Sequence, residues 1–137
     1  MRKAVVYIML VALSLSLGLL CACNLGGSSS NGKGTYQKIS PQEAKQMMDS
    51  GVPYVLVDVR TAGEYAEKRI VGAILIPNDE ISARAASELP DKDARIFVYC
   101  RSGNRSASAA TTLATMGYTN VYDVGGITNW PYATTSG

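Results

Sequence analysis

The sequence predicts an α/β domain over residues 35–137: a small parallel β-sheet of about five strands with helices on both faces. Two observations carry this prediction. Short apolar runs rich in Val and Ile lack polar alternation, which is typical of strands buried on both faces. Segments with helix-capping signals alternate with these runs, and strand–helix alternation favours a parallel sheet. The remaining length, about a hundred residues, suits one domain.

The first elements carry clear start and stop signals. Residues 36–39 are a short strand candidate. Ser40, Pro41 and Glu43 then open a helix, because Ser can cap it, Pro suits its first position and Glu completes a capping box. Gly51 is placed to end this helix. The apolar, β-branched run 54–59 follows as a buried strand.

The later elements continue the alternation. Thr61 and Glu64 form a second capping box at the start of a short helix. Pro77 stops the apolar run 73–76. The remaining prediction is a helix over 81–89, a turn at 90–93, a strand over 95–99, a helix over 104–116 closed by Gly117, and a last strand over 120–124.

The first 34 residues predict export rather than a folded domain. Arg2 and Lys3 precede an uncharged apolar run over 4–20, and the run Cys21-Ala22-Cys23 follows. This layout resembles a bacterial lipoprotein signal, which implies a signal peptide over 1–22, cleavage before Cys23 and a lipid on Cys23. An uncleaved membrane helix or ordinary cleavage remains an alternative. Residues 23–34 then comprise the lipidated Cys23 and a flexible Gly/Ser linker, so the domain is expected outside the cytoplasm, anchored to a membrane.

Charge and composition exclude several function classes. Without Arg2 and Lys3, eleven Lys and Arg balance eleven Asp and Glu, and no basic run suggests a nucleic-acid partner. The chain contains no histidine, which excludes Cys-His and Ser-His catalysis and argues against zinc. We expect neither a metal nor a cofactor. After Cys23 only Cys100 remains, so no disulfide can form within the domain.

Two segments place polar side chains just beyond predicted strands, where sites lie in parallel sheets. One contains Asp58 and Arg60, and the other is the loop 100–105. In that loop Cys100 follows a buried strand and precedes a helix, so backbone N–H groups and the helix N-terminus point towards its sulfur.

The composition of this loop predicts a reactive thiolate. Arg101 and Arg105 supply positive charge, Ser102 and Ser106 supply hydroxyl donors, and Gly103 permits a tight turn with positive φ. These features are expected to lower the thiol pKa and to bind an anion beside the sulfur. The alternative interpretation is a small core cysteine at a strand end with two surface arginines.

The run 100–106, Cys-Arg-Ser-Gly-Asn-Arg-Ser, resembles the active-site loop of single-domain rhodaneses, which are sulfurtransferases. Three further segments support the resemblance: Val57-Asp58-Val59-Arg60 with Glu64-Tyr65, Gly72-Ala73 with Pro77, and Gly125-Gly126-Ile127 with Trp130. It spans residues 36–130. Two departures are Lys68-Arg69-Ile70 in place of Gly-His-Ile, and Leu75 in place of Asn.

The resemblance implies a rhodanese-like fold and a persulfide mechanism. The thiolate of Cys100 takes the outer sulfur of thiosulfate or a persulfide donor, and a thiol or cyanide then removes it. The loop residues expected to bind the sulfur-containing anion are Arg101, Ser102, Gly103, Asn104 and Arg105. Ser106, Asp58 and Arg60 are expected in supporting roles, and the last two either orient the loop or simply fix the strand end.

Two interpretations remain beside a sulfurtransferase: a persulfide carrier or sulfide-sensing module without turnover, and a Cys-based reductase or phosphatase of the same fold. Cys-dependent phosphatases place Arg six residues after Cys, whereas Arg105 lies five after Cys100. The tighter loop favours a sulfur-sized ligand. We further expect Arg101 to point outward towards the incoming anion and Arg105 to pack beneath the loop.

Overall fold

The computed structural model describes residues 34–137. The predicted signal peptide (1–22), the lipidation site Cys23 and the linker up to residue 33 lie outside the described residues. Within residues 34–137, no helix is long and apolar enough to cross a membrane.

A parallel sheet of five strands forms the centre of the domain, which confirms the predicted fold class. Its strands are β1 (Gln37–Lys38), β2 (Tyr54–Asp58), β4 (Ile74–Leu75), β5 (Arg95–Cys100) and β6 (Val121–Gly126). Strand β3 belongs to a separate pair of strands. They lie in the order β1-β6-β5-β2-β4, and each neighbouring pair is parallel. Strand β5 therefore occupies the middle of the sheet, and its carboxyl end carries Cys100.

Within residues 34–137, four helices surround the sheet: α1 (Pro41–Asp49), α2 (Ala62–Glu67), α3 (Ile81–Glu88) and α4 (Asn104–Thr115). Short 3-10 turns occupy Asn78–Glu80 and Ile127–Asn129. Both predicted capping boxes are present, because Ser40 and Thr61 each accept a hydrogen bond from the amide of the glutamate three residues on. Gly51 adopts a φ of 81° just beyond α1, as its predicted stop requires.

Two hydrophobic cores lie on opposite faces of the sheet. The first joins alternate residues of β2 and β5 to α3 and α4, with Val57, Val98, Ala85, Ala109 and Leu113 among its members. The second packs the other faces of these strands against α1 and the C-terminal segment, and includes Leu56, Phe97, Ala44, Met48 and Trp130. The prediction of helices on both faces is confirmed.

Two features of the strand arrangement were not predicted from the sequence. Strands β3 (Arg69–Ile70) and β7 (Thr134–Thr135) form a separate antiparallel pair, and two residues are too few to give a periodic signal. Strand β6 continues past Val124 to Gly126, because a register shift lets Gly125 and Gly126 pair with Tyr99 and Cys100. Glycine has low strand propensity, so the sequence pattern ends early.

Candidate active site

Cys100 is the last residue of β5, and helix α4 begins only four residues later. Asp58 ends the neighbouring strand β2 and pairs in register with Tyr99. The structure thus brings both predicted segments to the same edge of the sheet. Cys100 is only 1% exposed.

Hydrogen-bonding groups surround the Cys100 sulfur. The Gly103 amide donates to Sγ at 3.0 Å, and the thiol donates to the Ser106 hydroxyl oxygen at 3.6 Å. Ser106 Oγ in turn donates to the Gly103 carbonyl at 3.0 Å. Gly103 adopts a φ of 110°, the left-handed conformation that the sequence allowed for. The loop therefore turns its amides inward around the sulfur.

The environment lowers the pKa of the Cys100 thiol from its ordinary value. Burial is the largest single influence and raises this pKa. It is opposed by the Ser106 hydroxyl, which donates to the ionised sulfur once its proton turns away from the Gly103 carbonyl, and by the amides of Ser106, Gly103 and Ser102, and together these hydrogen bonds prevail. Hydrogen bonding to the sulfur, more than the arginine charges, is the leading cause of the shift. A thiolate can therefore form inside a largely buried site.

The backbone of Gly126 supports the loop from below. A Cβ atom at this position would lie 2.3 Å from the Arg101 carbonyl oxygen, so no larger residue fits without displacing the loop. The same oxygen accepts hydrogen bonds from the amide and hydroxyl of Thr128, at 3.4 and 3.1 Å. The role of Thr128 was not predicted, because nothing in the neighbouring sequence distinguishes it from an ordinary surface threonine.

Arg105 binds Glu64 and does not pack beneath the loop, so that expectation was wrong. Its Nη1 and Nη2 donate to the two carboxylate oxygens at 2.8 and 3.0 Å. Glu64 completes the capping box of α2, and its carboxylate lies within reach of the Arg105 guanidinium on α4. The hydrogen bond from Arg105, helped by those of Thr61 against a smaller effect of burial, lowers the pKa of Glu64 to about 2.

Asp58 and Arg60 form a buried ion pair at the end of β2. The Arg60 amide and Nε donate to Oδ1 at 2.9 and 3.0 Å, and Nη2 donates to Oδ2 at 2.7 Å. Tyr99 also donates to Asp58 at 2.8 Å and accepts the Ile70 amide at 3.1 Å. These bonds fix the strand end and the segment leading to β3, and Arg60 further reaches the Lys68 carbonyl. The part of Tyr99 in this network was not predicted.

Asp123 is a second buried aspartate near the site, and it was not predicted from the sequence. It is fully buried, and its Oδ1 accepts the Gly125 amide at 2.9 Å. Oδ2 has no hydrogen-bond partner among residues 34–137. The Gly125 carbonyl lies 3.4 Å from the Ser106 hydroxyl, which itself contacts the Cys100 sulfur. By binding the Gly125 amide, Asp123 therefore positions a segment next to Ser106. The sequence did contain a signal for this residue, since an aspartate stands within an otherwise apolar strand.

An open pocket of about 230 Å³ lies beside the loop. It is lined by Arg60, Glu64, Glu67, Lys68, Arg101, Ile127 and Thr128. Of the predicted anion-binding residues, Arg101 is exposed and lines this pocket, and Ser102 and Asn104 are exposed on the loop nearby. In the part of the chain that the structure describes, no three His, Cys, Asp or Glu residues group as metal ligands.

Comparison with known proteins agrees with this arrangement. Thiosulfate sulfurtransferase PspE of Escherichia coli is 41% identical over 71 residues, which cover 52% of this chain and 68% of PspE. Thiosulfate sulfurtransferase GlpE of Pseudomonas aeruginosa is 34% identical over 75% of this chain and 94% of its own. A solved structure described as rhodanese with anions from E. coli superposes with a TM-score of 0.59 at 35% identity, over 62% of this chain and all of that one.

The family model for the rhodanese-like domain matches residues 40–132. This range contains four of the five strands of the parallel sheet, since β1 lies just before it, together with helices α1 to α4 and the Cys100 loop. The chain therefore belongs to the rhodanese-like domain family.

Proposed function

We propose that this protein is a sulfurtransferase that moves a sulfane sulfur from thiosulfate or a persulfide donor to a thiol or cyanide, through a persulfide on Cys100. The observation that carries the proposal is the cradle around Sγ, where the Gly103 amide and the Ser106 hydroxyl favour the thiolate. The names of the relatives PspE and GlpE, both thiosulfate sulfurtransferases, support it.

The reaction consists of two balanced displacements. In the first, the Cys100 thiolate attacks the outer sulfur of thiosulfate, the S–S bond of the donor breaks, and sulfite leaves with the electron pair. In the second, cyanide or a thiolate attacks the outer sulfur of the persulfide. The bond to Sγ breaks, its electron pair returns to Cys100, and thiocyanate or a new persulfide leaves. Neither step requires a general base, in keeping with a chain that contains no histidine.

The other residues of the loop have separate roles in binding the donor and stabilising the sulfur. The amides of Ser102 and Gly103 stabilise negative charge on the sulfur, as preorganised donors do at low cost. Exposed Arg101 attracts the anionic donor at the pocket mouth, and Asn104 starts the helix whose N-terminus faces the site. Arg105 acts through Glu64, because their ion pair ties α4 to α2 on either side of the loop.

The pairing of Arg105 disfavours the phosphatase alternative. Both of its terminal nitrogens are engaged by Glu64, so this guanidinium is not available to bind a phosphoryl group. Arg105 lies five positions after Cys100, one fewer than in Cys-dependent phosphatases, and this tighter loop favours a sulfur-sized ligand. We also propose that the protein is exported and held at a membrane by a lipid on Cys23, a proposal that rests on the N-terminal sequence alone.

The test is steady-state sulfur transfer from thiosulfate to cyanide by the full-length protein in detergent. Cys100→Ser is expected to abolish activity with little change in thermal stability, since the substitution is nearly isosteric and serine cannot form a persulfide. As a matched control, Ser87→Cys combined with Cys100→Ser restores a thiol at an exposed position of α3 outside the cradle. This double variant should stay inactive.

Two results bear on the alternatives. Activity of Cys100→Ser near the wild-type level would refute the mechanism. A wild-type protein that gains one sulfur rapidly, but turns over slowly with cyanide and with small thiols, would instead favour the persulfide carrier.

A further inference from the structure

The pocket beside the Cys100 loop carries charges of both signs that have no salt-bridge partner among residues 34–137. Arg60 is neutralised by Asp58, and Glu64 by Arg105. Glu67, Lys68 and Arg101 also line the pocket, all three are exposed, and none makes a salt bridge within residues 34–137. Within the described part of the chain, the pocket thus presents one carboxylate and two cations that form no salt bridge.

This combination does not fit thiosulfate alone. Thiosulfate carries only negative charge, so Lys68 and Arg101 attract it while Glu67 repels it. The pocket, at about 230 Å³, also leaves room for a ligand larger than this small anion. A ligand with an ammonium group and one or two carboxylates would complement all three side chains.

The backbone holds the two residues that distinguish the pocket in a defined position. Helix α2 ends at Glu67, and the Lys68 amide donates to the Glu64 carbonyl at 3.1 Å. The Lys68 carbonyl accepts a hydrogen bond from Arg60, which is itself fixed by Asp58. These bonds fix the backbone positions from which both side chains extend into the pocket beside the Cys100 loop.

We propose that this pocket binds a zwitterionic aminothiol, with its ammonium group at Glu67 and its carboxylate at Lys68 and Arg101. The proposal rests on the sulfurtransferase function and names the class of thiol that accepts the sulfur. The bound thiol loses its proton to water, and its thiolate attacks the outer sulfur of the Cys100 persulfide. The bond to Sγ breaks, its electron pair returns to Sγ, and the aminothiol leaves as a persulfide.

The test compares three acceptor thiols with thiosulfate as the donor and the full-length protein as the enzyme. Cysteine has both charged groups, cysteamine lacks the carboxylate, and 3-mercaptopropionate lacks the ammonium. For each thiol, kcat/KM of Glu67→Gln and of Lys68→Gln is divided by the wild-type value, which cancels the intrinsic reactivity of the thiol. Glu88→Gln on α3, outside the pocket, is the control for a lost surface charge.

Glu67→Gln is expected to lower kcat/KM up to about fivefold for cysteine and cysteamine, the effect of an exposed ion pair, but not for 3-mercaptopropionate. Lys68→Gln is expected to lower it for cysteine and 3-mercaptopropionate, but not for cysteamine. Equal effects on all three thiols, or none, would overturn the inference while wild-type turnover with cyanide persists. Failure of the wild type with cyanide as well would overturn the sulfurtransferase proposal itself.

Discussion

The ion pair between Glu64 and Arg105 gives a stability prediction that can be worked out from its geometry. Glu64→Gln removes the charge but keeps an oxygen that can serve the capping box with Thr61. A fall in the Glu64 pKa from its ordinary 4.5 to about 2 corresponds to about 3 kcal/mol as an upper limit. Part of that belongs to the Thr61 bonds, which Gln retains.

Solvent reduces the expected effect further. The Arg105 side chain is 36% exposed, so much of the attraction is screened, and we expect a loss of about 1 kcal/mol at pH 7. For a domain of this size that is a fall in Tm of about 4–8 °C.

The effect should also depend on pH. The folded-state pKa of Glu64 lies below the unfolded value, so its contribution is fully present above about pH 4.5 and is lost as the pH falls towards 2. The difference between variant and wild type should therefore shrink by more than half at pH 3.

Urea unfolding of both proteins at pH 7 and pH 3 measures this difference. Glu43→Gln is the matched control, because Glu43 completes the other capping box and has no arginine partner within residues 34–137. Its effect at pH 7 should be smaller than that of Glu64→Gln. An undiminished difference between Glu64→Gln and wild type at pH 3 would show that the ion pair is not the cause.

Three further predictions concern the loop and the N-terminus. Ser106→Ala should raise the pKa of Cys100, because it removes a hydrogen bond to the sulfur, and thiolate absorbance followed against pH would show no change if the reasoning is wrong. Gly126→Ala should abolish sulfur transfer, because its methyl would overlap the Arg101 carbonyl, whereas Gly63→Ala, with no atom closer than 4.0 Å, should retain it. Labelled fatty acid should appear on the protein and be lost in Cys23→Ala, and label that persists in this variant would place the lipid elsewhere.

Local signals account for the parts of the fold that the sequence predicted. The capping residues Ser40 and Thr61 act on amides three positions away, and the buried strands are recognisable from their own composition. The β3–β7 pair joins residues more than sixty positions apart, and its four residues carry no pattern. The extension of β6 to Gly126 depends on its partner β5 and not on its own strand propensity.

In the site, too, local contacts could be predicted from the sequence and contacts between distant residues could not. The turn at Gly103 and the cradle around Cys100 lie within a run of seven residues, so the sequence predicted their geometry. The Arg105–Glu64 pair joins residues forty-one positions apart, and the expectation that Arg105 lies beneath the loop failed because nothing near it in sequence names its partner. The contacts of Tyr99, Asp123 and Thr128 likewise form only once the strands assemble.

The central claim is that Cys100 carries the transferred sulfur, and intact-mass spectrometry tests it most directly. After incubation with thiosulfate and removal of excess donor, the wild-type protein should gain the mass of one sulfur atom, which cyanide should then remove. Cys100→Ser should gain none. An unmodified wild-type protein, or the same added mass in Cys100→Ser, would contradict the account.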